Sequence, residues 1–168
     1  KDRVTRVHAK WDAADSRYVA AWLAMASQLD GFDDILSHRL TINAADVPAL
    51  RIQQDSASPE DKEQILAGHR EAARRNPDSP DWQYIGIRAL ADGPEQDAAF
   101  IAGHRKWPNN IWFSNGAGFA HARNARWPEA LRCYEALLRP IGPLYENAAV
   151  YVARIRRLYS PLLANNET

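Results

Sequence analysis

Cysteine is almost absent. Cys133 stands alone, so no internal disulfide can form and no metal cluster can be built on thiolates. Lysine is scarce as well, at positions 1, 10, 62 and 106, and the 21 basic residues are matched by 21 acids. Net charge is +0 with a pI near 7.2. Nucleic acids and anionic membrane surfaces are gripped through a surplus of Lys and Arg over phosphate. A neutral chain lacks that surplus, so no nucleic-acid partner is expected. No run of about 18 apolar residues occurs, which excludes direct insertion of a membrane-spanning helix. Strand patterning is missing too, because no stretch alternates apolar and polar residues with β-branched enrichment. A cysteine-poor chain leaves the compartment open between cytoplasm and periplasm. The chain starts at Lys1 rather than Met and shows no signal-peptide pattern, so the expectation is a piece of a longer protein.

What is present is repetition. Ile35-Leu36-Ser37-His38-Arg39 is followed by Leu66-Ala67-Gly68-His69-Arg70 and by Ile101-Ala102-Gly103-His104-Arg105. Leu131-Arg132-Cys133-Tyr134-Glu135 is a decayed fourth copy, with an aromatic at the His position. The copies thus start at Ile35, Leu66, Ile101 and Leu131. A period near 33 indicates a helical repeat array. Turn clusters recur between stretches of helical periodicity. They predict helices over 2–13, 16–29, 33–42, 46–56, 59–75, 80–91, 94–106, 111–124, 128–139 and 144–159. Ser58-Pro59-Glu60-Asp61 places a capping Ser before a first-turn Pro and two acids. Asn76-Pro77 closes the long helix, since a residue before Pro avoids the helical region. Short connections then imply helix pairs, which bury both faces only when stacked. Hydrophobic residues make up 46% of the chain and charged residues 25%, ordinary for a globular domain with a sizeable core.

Trp82-Gln83-Tyr84-Ile85-Gly86-Ile87-Arg88-Ala89 carries an aromatic, a hydrophobic–Gly pair and a small contact residue in sequence. Trp127-Pro128-Glu129-Ala130-Leu131-Arg132-Cys133-Tyr134-Glu135-Ala136-Leu137 runs from small Ala through an aromatic to Ala-Leu. With the closing Pro77 and the close-approach glycines Gly116 and Gly118, this pattern resembles the tetratricopeptide repeat. The resemblance spans 16–159. It departs from that family in placing His at 38, 69 and 104, in lacking the Trp-Leu-Gly core in the first two repeats, and in a drifting spacing. It implies an all-α, right-handed α-solenoid of antiparallel helix pairs, with about four repeats plus flanking helices. Residues 1–15 are then the end of an upstream helix or a linker, and 160–168 a frayed tail.

Chemistry is weighed against packing at each conspicuous residue. Histidines one repeat apart stand roughly a helix diameter apart, about 10 Å. A metal needs ligands within ~2.1 Å, so His38, His69 and His104 are expected to fill aromatic slots between helices. Asp30, Asp33 and Asp34 fall at a turn and a helix start, where acids oppose the positive helix end. Gly116-Ala117-Gly118 lacks the strand and the Lys-Ser/Thr of a phosphate loop. Cys133 occupies a small, buried position, and no nucleophile–base–orienter set is visible. The chain is therefore expected to be no enzyme and to need no cofactor and no metal.

The resemblance implies that the first helix of each pair lines a concave groove. Off-core residues one turn apart on those helices are then the candidate partner-binding set: Arg51, Gln54, Gln83, Ile87, Asn115, Phe119, Arg123, Asn147, Tyr151 and Arg154. Asn and Arg suit a partner's backbone or carboxylates, while Phe and Tyr supply apolar area. With so few lysines, no carboxylate clamp for chaperone tails can be placed. The expected function is a non-catalytic adaptor or scaffold module that binds a protein or peptide segment. Its Ala- and Arg-rich composition is that expected of a bacterial protein. The alternatives are a structural, self-associating assembly domain, or a regulatory domain of a larger enzyme or membrane protein.

Overall fold

Prolines and small polar side chains set the helix starts. The computed structural model describes residues 32–141, and within them the chain forms seven helices and no strand. They are α1 (Phe32–Ile42), α2 (Val47–Ser56), α3 (Pro59–Arg75), α4 (Pro80–Arg88), α5 (Pro94–Lys106), α6 (Ile111–Arg123) and α7 (Trp127–Ile141). Pro48, Pro59, Pro80 and Pro94 occupy first-turn positions, where a missing N–H costs nothing. Asp46, Ser58, Ser79 and Asn110 accept bonds from the first-turn amides of α2, α3, α4 and α6. The all-α expectation holds, and each expected helix in this range forms within about two residues, with one exception. The helix from 80 stops at Arg88 rather than 91, because Ala89 caps it and Gly93 turns the chain at φ 157°. The expected helices 2–13, 16–29 and 144–159, the 160–168 tail and Trp22 lie outside the described residues.

The chain divides into two compact units at Ala89/Leu90. In the first unit, Arg39 of α1 donates from Nε to Asp46 Oδ2 at 3.1 Å, with both side chains buried. The other carboxylate oxygen of Asp46 accepts from the Ala49 amide at 2.9 Å, so one acid both neutralises Arg39 and caps α2. Helices α3 and α4 pack across the Asn76–Ser79 turn. At Gly86 they leave no room for a side chain, since a Cβ there would lie 2.4 Å from Ala73 Cβ. Leu50, Tyr84 and Ile85 fill the core beneath them.

The second unit is organised around α6, a helix apolar nearly all round and accordingly buried on most sides. Gly103 of α5 lies against the Phe113 ring and Gly116 against Phe100, so close that a Cβ on either would overlap the ring. Gly118 meets Tyr134 of α7 in the same way. Trp107 stacks on Phe113 at 5.1 Å between ring centroids.

The turns after α3 and α5 share three backbone bonds in the same order. Asn76 N–H donates to Ala72 O, Ser79 N–H to Asn76 O, and Gln83 N–H to Ser79 O. Trp107, Asn110 and Ser114 donate to Gly103, Trp107 and Asn110 in turn. With Asn76 matched to Trp107 in this way, His69 matches Phe100 and Ala73 matches His104. The His-centred string, by contrast, pairs His69 with His104. The cause is helix length: α3 has 17 residues and α5 has 13. The string keeps its distance from the helix starts at Pro59 and Pro94, while the turns keep register at the helix ends. The surplus of four residues is about one helical turn, so the string still falls on the same helix face.

Candidate functional site

Two polar clusters stand out, one in each unit. In the first, Gln54 of α2 is 3% exposed and is bonded at every position of its amide. Its Nε2 donates to Ile85 O of α4 at 3.1 Å and meets His69 Nδ1 of α3 at 3.0 Å. Its Oε1 accepts from Arg88 Nε at 3.0 Å, and Arg88 also reaches Asp55 at 2.7 Å. The other ring nitrogen of His69, Nε2, lies 3.1 Å from Gln53 Oε1. Burial lowers the His69 pKa, so the ring is neutral near pH 7. Beside it, Gln53, Asp61, Gln64, Ile65, Gly68 and His69 line a shallow cleft of about 420 Å³.

In the second unit Asp97 is 6% exposed in the first turn of α5. Arg123 of α6 donates to it from Nη2, and Asn124 Nδ2 donates at 2.8 Å. Arg123 also reaches Gln96 Oε1 at 3.3 Å and lies 5.2 Å from the centre of the Phe119 ring. Gln96 donates onward to Leu90 O at 3.2 Å. His104 and Ser114 face each other at 3.5 Å. His121 is buried with its Nδ1 unbonded among the described residues, and burial together with nearby Arg126 lowers its pKa.

The candidate partner-binding residues therefore divide. Gln54 is an interior residue, a correction to its place on a groove: its side chain is consumed in joining α2, α3 and α4. Gln83 closes the α3–α4 turn by donating to Ala73 O at 2.6 Å and to Asn76 O at 3.2 Å. Arg51 and Ile87 are half-buried and already engaged. Arg123 is a structural ion-pair partner. Asn115, half-buried, and Phe119, 53% exposed, lie one turn apart on α6 and share its narrow solvent-facing strip with Arg123. Asn147, Tyr151 and Arg154 lie outside the described residues.

Of the three repeated histidines, His69 is buried, His104 is half-buried and His38 is exposed on α1, so the aromatic-slot expectation fails at His38. Cys133 is a buried free thiol, and burial raises its pKa. Sequence reasoning missed Asp97 and Asn124. Pro94-Glu95-Gln96-Asp97 reads as an ordinary acidic first turn, and its basic partner comes from the far end of the next helix. Among the described residues, no group of three or more His, Cys, Asp and Glu side chains is placed to hold a metal ion. No described helix is long and apolar enough to cross a membrane. No family model, no curated protein and no solved structure matches the chain.

Proposed function

We propose that the chain is a non-catalytic interaction module. In this reading its helix pairs belong to a tetratricopeptide-like right-handed solenoid that receives a protein or peptide segment. The observation that carries the reading is Phe119. Eight of the other twelve positions of α6 are buried, yet this ring is 53% exposed. Its helix is fixed from behind by the glycine contacts to Phe100 and Tyr134. A rigid, exposed aromatic flanked by Asn and Arg has the make-up of an interface anchor, with large apolar area at little entropic cost.

The same geometry dictates the test. Charge reversal at Arg123 leaves Asp97 buried without its cation, so it confounds folding with binding. Phe119→Ser combined with Asn115→Ala removes the ring without placing a new charge beside Arg123, so the Arg123–Asp97 pair is left in place. The variant is expected to keep its helicity and unfolding midpoint and to lose the partner captured by the unmodified chain. Equal capture by both proteins overturns the assignment of this strip. A concentration-dependent dimer in light scattering, lost in the variant, makes the partner a second copy of the chain.

A further inference from the structure

His69 joins three helices through bonds that depend on its protonation state. The Gln54 Nε2 carries two hydrogens, and its two neighbours are Ile85 O and His69 Nδ1. Gln54 Oε1 is taken by Arg88 Nε. This arrangement makes His69 Nδ1 an acceptor and leaves the ring hydrogen on Nε2, where it donates to Gln53 Oε1. All four bonds are satisfied by one tautomer of the neutral ring.

A proton added at Nδ1 opposes two donors, the ring N–H and the Gln54 NH2. Turning the Gln54 amide over does not repair the cluster. Its oxygen would then accept from His69, but its NH2 would face the Arg88 N–H, and Ile85 O would lose its donor. Leaving a polar group unpaired inside a buried cluster is costly.

We propose that His69 is a proton-operated latch: the neutral ring ties α3 to Gln54 of α2, and protonation leaves that amide unable to serve His69 and α4 together, so the contacts of Gln54 loosen while the Arg88–Asp55 pair holds. The charged groups on the three helices are already engaged. From α2 these are Asp55, which pairs with Arg88, and Arg51. From α3 they are Asp61, bonded by Ser58 at 2.9 Å, and Arg70, bonded to Glu63 and to Ala89 O at 2.8 Å. From α4 they are Asp81 and Arg88. No carboxylate among them is bonded to the ring, and the lowered pKa of His69 arises from burial. The latch does not depend on the partner-binding reading, since it lies in the other unit from Phe119.

The test is nitrogen-15 NMR of the whole chain, read at His69 and at the α4 amides. At pH 7.5 the ring should be the Nε2–H tautomer, and it should titrate below 6.5. Amide exchange across Trp82–Ala89, corrected for its intrinsic pH dependence, should accelerate from pH 7 to pH 5, as the folded ring takes up its proton. In His69→Phe, which installs the side chain found at the turn-matched position Phe100, that acceleration should vanish. An Nδ1–H tautomer, a titration at or above 6.5, pH-independent α4 protection, or unchanged acid loosening in His69→Phe each overturns the latch. Should His69→Phe not fold, the tautomer and titration of the unmodified chain decide.

Discussion

Arg123 shows how one side chain can look like surface chemistry and act as structure. Its guanidinium is about a third exposed, while the Asp97 carboxylate beneath it is nearly buried. Removing the cation leaves a buried acid whose remaining side-chain donor among the described residues is Asn124 Nδ2. Breaking a fully buried pair costs roughly 3–5 kcal/mol, and partial exposure of the Arg reduces this to about 2 kcal/mol. Arg123→Ala should therefore lower urea stability by about that amount. Adding Asp97→Asn should recover part of the loss, because the amide needs no counter-charge. If the single variant unfolds at the unmodified midpoint, the pair is ornamental and Arg123 returns to the candidate binding surface. From sequence, Arg123 is legible as an off-core residue of α6. Its partner is not, because a contact between the start of one helix and the end of the next leaves no local pattern.

At the scale of the helix, the legible features are those encoded within four residues. Capping Ser, Asp and Asn, first-turn Pro, and the turn at Asn76-Pro77 set most boundaries, since each acts on adjacent backbone groups. The glycines divide by what a helix meets. Gly103 and Gly68 occupy the same place in the repeated string, yet their surroundings are opposite. A Cβ on Gly103 would lie 1.9 Å from Phe113 Cε1, whereas no described residue comes within 4 Å of one built on Gly68. Gly68→Ala should stabilise the chain by roughly 0.5–1 kcal/mol through helix propensity alone. Gly103→Ala should destabilise it by about 1–2 kcal/mol, since forcing α5 from α6 outweighs that gain. Paired chemical denaturation curves give both signs at once. Two shifts of the same sign would mean that the α5–α6 contact yields easily or that the face beside Gly68 is covered.

At the scale of the whole chain, the string Gly-His-Arg falls on helices as expected, but its spacing departs from the register of the turns. The step from His69 to His104 follows helix starts. The packing between α3 and α4 and between α5 and α6 follows the turns instead, in which Asn76 answers to Trp107. One additional turn in α3 hides the difference, because a four-residue slip keeps a side chain on the same face. The outcome is that the histidines do not share one environment, yet those at 69, 104 and 121 share a consequence of burial. Each has its pKa lowered from the ordinary 6.5, with desolvation the largest cause. In the unfolded chain these groups take up protons near 6.5, and in the folded chain they do so only at lower pH. Between those values the unfolded chain holds more protons, so stability rises with pH. The three contributions are complete above pH 6.5 and are lost as pH falls through the folded pKa values. Glu129, whose pKa is lowered chiefly by its hydrogen bond from Arg126, adds a second loss only in the more acidic carboxylate range. Urea midpoints measured from pH 8 to pH 5 should accordingly be level down to about 6.5 and then fall, with an unchanged denaturant slope. A midpoint that rises on acidification through that window would mean that the folded chain takes up protons more readily than the unfolded one. The buried histidines would then be charged, and the neutral, bonded ring at His69 would not describe the protein in solution.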